Sequence, residues 1–334
     1  MPELAIIIPY YQRETGLLRR AVDSVLRQRG APSYEVIVVD DGSPNDPAPE
    51  LADFFCDRRC DLVLLRRTNG GAGAARNTGI EHAIGRARFI AFLDSDDLFV
   101  PEHLRRMWMA FSAGADFYFC DTNRPDSDRA AFAINGFPRG TIEPLSHDDG
   151  IFWYRDSLLR LNLTDAPFGT NCIGYRLAGQ ESIRFSTEFT RSCEDRFFIA
   201  ELSRHARQTA FSVHRDVELG VGVNIFASSV WGTAAGLVRM LDTTRFHVRL
   251  GREFVLDRDE QQLNGRCLRA CDKDFWQNVC VVTLKTGCLP VDTMRNYLKL
   301  RPGSFYRLPD SILGLARAKF QAWRKLDGRL ADRL

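Results

Sequence analysis

Three carboxylates fall within four residues at positions 94, 96 and 97, where the sequence reads Asp-Ser-Asp-Asp. The apolar run before them, residues 89–93, has the length and composition of a buried strand, which would deliver all three acids into one cleft. Like charges crowded in this way repel one another unless a cation offsets them, and hard oxygen ligands select Mg²⁺ or Mn²⁺. The pattern predicts a site for a divalent metal ion at this acidic cluster. An acidic turn that caps the next helix is the alternative.

A second acidic pair, Asp40 and Asp41, is followed by Gly42 and Ser43. A carboxylate after a strand can accept hydrogen bonds from the imide of a uracil ring or from ribose hydroxyls. The alternative is a simple turn with glycine in the left-handed region. On the functional interpretation, Asp41 contacts a nucleoside.

Residues 69–77 read Asn-Gly-Gly-Ala-Gly-Ala-Ala-Arg-Asn and open a predicted helix. Small residues let the backbone approach phosphates, and the amides at a helix start favour anions. The guanidinium of Arg76 could donate two hydrogen bonds to diphosphate oxygens. The glycine-rich motif of dinucleotide-binding folds, with three small residues at fixed spacing, begins in a similar way. Here Arg76 stands where the third small residue belongs, and the segment follows the third strand rather than the first, which argues against an oxidoreductase.

Glu194 and Asp195 lie at a predicted helix start. A carboxylate here could take the proton from an acceptor hydroxyl, so Asp195 is the candidate catalytic base. Ser192 and Asp195 also have the spacing of a capping box, and acids are stabilised at helix starts by the dipole. The two interpretations are compatible, because the same field keeps Asp195 ionised.

Regular alternation of strands and helices must position these groups. Short apolar runs bounded by breakers predict strands at residues 4–8, 34–39, 61–65, 88–93 and 116–120. Helical patterns lie between them at residues 17–26, 49–56, 74–84 and 101–111. This order predicts an α/β fold with a mostly parallel sheet sandwiched by helices. Such sheets bind ligands at the carboxyl ends of their strands. Residues 9–11, 40–43, 69–71 and 94–97 each follow a predicted strand in this way.

The rest of the chain is less informative. Residues 121–150 are polar and predict an irregular loop, whereas the chain after residue 238 looks mainly helical and basic. The formal charge of +2 shows no strong excess of basic residues, which argues against a nucleic-acid-binding protein. Nine scattered cysteines, with no signal peptide apparent, favour a cytoplasmic protein with buried thiols over a zinc site at Cys267 and Cys271. No transmembrane helix is predicted.

At these residues the chain resembles the family 2 glycosyltransferases, which share the GT-A nucleotide-sugar fold. The matching segments, in chain order, are residues 6–11, 38–43, 73–79, 92–97 and 194–195. The resemblance implies a nucleobase contact for Asp41, ribose and metal-diphosphate contacts for Asp94 and Asp96, and the catalytic base at Asp195. We also assign Pro9, Tyr11 and Arg76 to nucleotide-sugar binding. His214 is a candidate further metal ligand, although a lone histidine is more often a surface or core residue.

Residues 9–14 and 16–21 are similar, more specifically, to glucosyltransferases that build bacterial exopolysaccharides of the succinoglycan kind. This resemblance implies UDP-glucose as the donor, a lipid-linked oligosaccharide as the acceptor and a β-linkage. A non-catalytic nucleotide-sugar binder, or a family 2 enzyme acting on another cell-surface glycan, is the alternative. A nucleotidyltransferase is disfavoured, because residues 9–12 offer no basic phosphate loop.

No motif is recognisable beyond about residue 226, so we expect a glycosyltransferase domain at residues 1–225 and a helical extension at 226–334. Near the end, residues 312–330 would form a helix with one apolar face and a basic one. Such a helix predicts peripheral association with the cytoplasmic face of the inner membrane. Packing of the same face on its own domain is the alternative.

Overall fold

The computed structural model describes residues 1–55, 61–123, 129–137, 140–164, 168–220 and 229–308. The chain divides into two compact units. The sheet unit comprises Met1–Glu188 and Glu194–Val223, and the helical unit comprises Phe189–Cys193 and Asn224–Leu334.

One mixed sheet runs through the sheet unit. In chain order its strands β1 to β10 are Leu4–Tyr10, Tyr34–Asp40, Asp61–Arg66, Phe89–Phe92, Leu98–Phe99, Phe117–Asn123, Ile142–Ser146, Ile151–Tyr154, Ile173–Arg176 and Thr209–Glu218. Their order across the sheet is β3, β2, β1, β4, β9, β6, β10, β8, β7, and β5 pairs with β10. Strands β3, β2, β1 and β4 are parallel to one another. Strand β9 lies antiparallel between β4 and β6.

Seven helices flank these strands in the described part of the sheet unit. In chain order α1 to α7 are Leu17–Leu26, Ala48–Leu51, Ala72–Ala83, His103–Ser112, Ala131–Asn135, Leu158–Thr164 and Glu194–Ser203. A short 3₁₀ turn, Thr170–Cys172, precedes β9. The predicted α/β class with a mostly parallel sheet and flanking helices is confirmed.

The central strands are continuous apolar runs because both of their faces are covered. Every residue of β1 is buried, and Ile7 lies opposite Ile37 of β2 in parallel register. Helix α3 packs on β1 and β2. A Cβ at Gly79 of α3 would lie 2.5 Å from the Ile7 side chain, so glycine permits this close approach.

Two regions differ from the predictions. Residues 121–150 are not a single irregular loop, because β6 extends to Asn123 and the segment also carries α5 and β7. Strand β7 is exposed at the sheet edge and contains Pro144, a residue tolerated in edge strands that masks their sequence signal. Helix α2 is described only over Ala48–Leu51, shorter than the predicted 49–56.

The helical unit has its own core. Helices α8, α9 and α10 are Ala234–Glu253, Arg258–Thr286 and Val291–Leu300, followed by a 3₁₀ turn at Pro302–Arg307. The apolar residues buried in this core are Leu237, Leu241, Phe275, Trp276, Val279, Val282 and Tyr297. The predicted helical C-terminal region is confirmed within these bounds. The predicted basic helix at residues 312–330 lies outside the described residues.

Helix α9 begins with a capping box, in which Asp257 and Glu260 each bind the other's backbone N–H. Among the described residues, Cys267, Cys271 and Cys280 are partly buried, and they take part in no cluster of metal-ligating groups. Within the described ranges, no helix is both long and apolar enough to cross a membrane.

Candidate active site

The acidic turn after β4 divides its side chains between two environments. Asp94 and Asp96 are half-buried, whereas Ser95 and Asp97 are buried. Residues 94–97 form a tight turn, closed by a hydrogen bond from the N–H of Asp97 to the carbonyl of Asp94 at 3.0 Å. The expectation that all three acids enter one cleft is wrong for Asp97, which is buried.

Asp97 is occupied by partners within the fold. Its carboxylate accepts a hydrogen bond from the backbone N–H of Gly220, at 2.8 Å, and another from Nδ2 of Asn171. Burial, followed by the charge of Asp94, raises the pKa of Asp97 to about 8. On the same side, Gln12 Nε2 donates to Ser95 Oγ at 3.0 Å, which joins the loop after β1 to the acidic turn.

Arg76 of α3 is buried and forms an ion pair with Asp94, with 2.5 Å between Nη2 and Oδ1. Burial alone would lower the pKa of Arg76, but Asp94, Glu194 and Asp195 together raise it. The guanidinium is therefore cationic, and its field reaches both acidic segments. The Nε atom of Arg76 is buried and has no hydrogen-bond partner among the described residues.

Asp41 anchors the glycine-rich loop before α3. Its carboxylate accepts hydrogen bonds from the backbone N–H groups of Gly70, at 3.0 Å, and Gly71, at 2.7 Å, and from Arg67. Gly71 has a φ of 88°, a left-handed value that favours glycine. The sequence signal at Asp41 thus marks the residue that shapes this loop. Its contact with a nucleobase stays a prediction.

Pro9 and Tyr11 lie at the carboxyl end of β1. Pro9 is buried in the strand opposite Val39, and Tyr11 just beyond the strand is 36% exposed. The adjoining Gln12 exchanges hydrogen bonds with Ser43, which joins the loops after β1 and β2. Of the two, Tyr11 has the more accessible side chain.

Helix α7 begins with Glu194 and Asp195, both half-buried. Burial, followed by the adjacent charge of Asp195, raises the pKa of Glu194 to about 7, while Arg76 opposes the rise. Oδ1 of Asp195 accepts from the N–H of Arg196 at 2.7 Å. The predicted capping box is absent from these described residues: the carboxylate of Asp195 accepts from Arg196 rather than from the N–H of Ser192, and the Ser192 hydroxyl donates to the carbonyl of Arg239.

Two positioning side chains were missed from the sequence. Asn77 exchanges hydrogen bonds with both backbone groups of Phe185, at 2.9 Å and 2.7 Å. The Phe185 ring stacks on Phe198 of α7 at 3.9 Å between centroids, and the guanidinium of Arg76 lies 5.4 Å from the Phe185 centroid. Arg76 therefore positions Asp94, and Asn77 positions Phe185, which packs on α7. Only its small residues and Arg76 were read as functional.

The structure does not bring His214 to the acidic turn. His214 is an exposed residue of β10, and its ring lies against Gly150. Asp96 instead lies against Gly220, six residues further along the chain. An extended segment of this length spans on the order of 15–20 Å. The assignment of His214 as a metal ligand is therefore corrected to an exposed strand residue.

Within the described ranges, one group of three ligand-type side chains has its atoms within 4.8 Å of one another: His103, Cys120 and Asp216. Asp216 already accepts from Arg106 and, at 3.3 Å, from the hydroxyl of Tyr118. Burial raises the pKa of the Cys120 thiol well above its usual value. A neutral thiol and an adjacent guanidinium both oppose the binding of a dication, so we interpret this group as a buried polar network.

The segments of this site up to the acidic turn fall within a single family match, and Glu194 and Asp195 lie beyond it. The family model described as "Glycosyl transferase family 2" matches residues 5–176, which include Asp41, Arg76 and the acidic turn. The chain belongs to this family. As a family 2 glycosyltransferase it is a transferase, and it is related to proteins of succinoglycan and exopolysaccharide biosynthesis.

Two curated relatives come from Rhizobium meliloti (strain 1021). The succinoglycan biosynthesis protein ExoW is 32% identical over 233 residues, which is 68% of this chain and 72% of that protein. The succinoglycan biosynthesis protein ExoO is 43% identical over 107 residues, which is 32% of this chain and 29% of that protein.

Solved structures share the GT-A fold. S. aureus TarS 1–349 in complex with UDP-GlcNAc has a TM-score of 0.53 at 18% identity, with 92% of each chain covered. The mannosyltransferase PcManGT from Pyrobaculum calidifontis, in complex with GDP-Man and Mn²⁺, has a TM-score of 0.56 at 16% identity, covering 97% of this chain and 88% of that chain. At these identities the likeness shows the fold alone.

Proposed function

We propose that this protein is a metal-dependent inverting glycosyltransferase of bacterial exopolysaccharide biosynthesis. In this proposal it transfers glucose from UDP-glucose to a hydroxyl of a lipid-linked oligosaccharide at the cytoplasmic face of the inner membrane. The likeness to ExoW over most of both chains supports the biosynthetic setting. The bound molecules named for the two solved structures support a nucleotide-sugar donor and a divalent cation.

The observation that carries the proposal is the connection between the two acidic segments. Arg76 is bonded to Asp94 and also senses the charges of Glu194 and Asp195. A transferase needs a site for the donor diphosphate and a base for the acceptor hydroxyl within reach of the same sugar carbon. A protein that only bound nucleotide sugars would have no need of the second acidic segment.

The donor side suits Mg²⁺ or Mn²⁺. Asp94 and Asp96 supply hard carboxylate oxygens within three residues of the acidic turn, and both side chains are half-exposed. A cation held by Asp96 with Asp94 would neutralise charge developing on the departing nucleoside diphosphate. Arg76 orients Asp94 and adds positive charge beside the diphosphate.

The acceptor side rests on Asp195. We propose that this carboxylate takes the proton of the acceptor hydroxyl while the hydroxyl oxygen bonds to the anomeric carbon. The bond from that carbon to the diphosphate oxygen breaks on the opposite face, so the configuration inverts. We assign this role to Asp195 rather than Glu194 on the resemblance of residues 194–195 to the family 2 motif, since the raised pKa of Glu194, about 7, would also suit a base. Residues 1–225 are the proposed catalytic domain.

A donor screen tests the proposal. Purified protein is incubated with a panel of UDP- and GDP-sugars in Mn²⁺, in Mg²⁺ and in excess EDTA, and the release of nucleoside diphosphate is measured. We expect release from UDP-glucose above the other donors and none in EDTA. Equal release in EDTA would overturn metal dependence, and preference for another donor would overturn UDP-glucose.

A further inference from the structure

The buried acid of the turn, Asp97, connects three separate parts of the sheet unit. Its Oδ1 accepts from the backbone N–H of Gly220, which follows β10, at 2.8 Å. Its Oδ2 accepts from the amide of Asn171 in the 3₁₀ turn before β9. Asp97, Asn171 and Gly220, which we call the clasp, are separated by 74 and 123 residues along the chain.

The clasp lies directly behind Asp96. A Cβ at Gly220 would clash with the carbonyl oxygen of Asp96 and lie 2.7 Å from its carbonyl carbon. Only glycine permits so close an approach of the two backbones. The hydrogen bond from the Gly220 N–H to Asp97 holds this approach in place. Pairing of Phe99 with Val217 fixes both segments beside the clasp, since Phe99 follows Asp97 and Val217 precedes Gly220.

Burial makes Asp97 unsuitable as a ligand for the substrate or for a cation. Its residue exposure is 4%, and each of its oxygens already has a partner. Burying this acid is costly, and its two hydrogen bonds offset part of that cost. Asp94 and Asp96 differ, because both are half-exposed.

We propose that Asp97 is a positioning residue, which sets the placement of Asp96 by fixing the turn to Asn171 and Gly220. The inference rests on the proposed role of Asp96 in metal and donor binding. An error on the order of 1 Å in the placement of a reacting group can lower the rate about 10²-fold, so the clasp matters although it touches no substrate.

The test exchanges the hydrogen-bonding groups of the clasp. In Asp97→Asn the new amide faces the amide of Asn171, so one of the two bonds is lost. The double variant Asp97→Asn/Asn171→Asp restores it, because the amide at 97 donates to the carboxylate at 171 and its oxygen still accepts from Gly220. Asn171→Ala keeps the bond to Gly220 and is the milder variant, useful if Asp97→Asn does not fold. Glu35→Gln is the matched control, a buried acid at the amino end of β2.

Binding of Mn²⁺ in the presence of UDP is followed by electron paramagnetic resonance, beside donor turnover and thermal unfolding. We expect Asp97→Asn to weaken Mn²⁺ binding about tenfold or more and to lower kcat on the order of 10²-fold, with substantial recovery in the double variant. Glu35→Gln should lower the melting temperature at most. Asp97→Asn with lower stability but wild-type Mn²⁺ binding, or a double variant without recovery, would overturn the inference. Failure of the wild-type protein to bind Mn²⁺ with UDP would instead overturn the proposed function.

Discussion

The acidic turn after β4 and the acid pair that begins α7 differ in how their carboxylates are buried and bonded. In the turn, Asp97 is buried and accepts two hydrogen bonds, whereas Asp94 and Asp96 are half-buried. At the helix start, Glu194 and Asp195 are both half-buried. Their difference lies in their surroundings, because burial raises the pKa of Glu194 to about 7.

This comparison shows what spacing cannot assign. In the turn, burial and hydrogen bonding separate Asp97 from the two ligand candidates. At the helix start, two adjacent acids look equivalent until their neighbours are known. The choice of Asp195 over Glu194 rests on the resemblance of residues 194–195 to the family 2 motif.

The largest effect is expected at the acidic turn. Asp96→Ala should lower transfer on the order of 10³-fold or more and abolish metal-dependent UDP binding, because the proposed ligand oxygens are gone. Transfer rates and calorimetry of UDP with Mn²⁺ measure both. Asp23→Ala, which removes a half-buried acid paired with Arg27 on α1, is the control and should leave both unchanged. Metal-dependent UDP binding that survives in Asp96→Ala would contradict the assignment.

A smaller, pH-dependent effect is expected at Glu194. Because its folded-state pKa is raised from 4.5 to about 7, its protonated form stabilises the fold. That stability is fully present below about pH 4.5 and is lost as the pH rises through about 7. The melting temperature of Glu194→Gln, relative to that of the wild-type protein, should therefore rise between pH 5 and pH 8. A constant difference across this range would show that Glu194 is not held in its neutral form.

The smallest effect is expected at His214. Its exposed position on β10 leaves no role in the turn, so His214→Ala should change transfer and the Mn²⁺ requirement less than about twofold. A titration of activity against Mn²⁺ for this variant provides the measurement. A marked increase in the Mn²⁺ concentration required would restore His214 as a ligand.

Local patterns predicted much of the sheet unit. The apolar runs of β1, β2 and β4 and the helical spacing of apolar residues in α1 are local signals. These elements were therefore predicted within a few residues of their observed bounds. Strand β9 was harder to place, because four residues inserted antiparallel between β4 and β6 obey no rule of sequential alternation. Strand β7 was missed for a different reason, since its exposed residues and Pro144 give no apolar alternation.

Candidate site residues were predicted where a motif is contiguous and missed where a contact is distant. Arg76 and Asp94 come from neighbouring segments after β3 and β4, and the structure joins them. The bonds of Asn77 to Phe185 and of Asp97 to Gly220 cross more than a hundred residues. No periodicity or spacing in a single sequence encodes such pairs.

The most direct measurement compares Asp195→Asn with Glu194→Gln. Calorimetry gives UDP affinity in Mn²⁺, and a transfer assay gives the rate for each variant. Asp195→Asn keeps the size of the side chain but cannot take a proton, so we expect UDP affinity to survive and transfer to fall by about 10² to 10⁴. Glu194→Gln should retain transfer within a few-fold of wild type at neutral pH. Near wild-type transfer in Asp195→Asn, or a greater loss in Glu194→Gln, would contradict the assignment of Asp195 as the catalytic base.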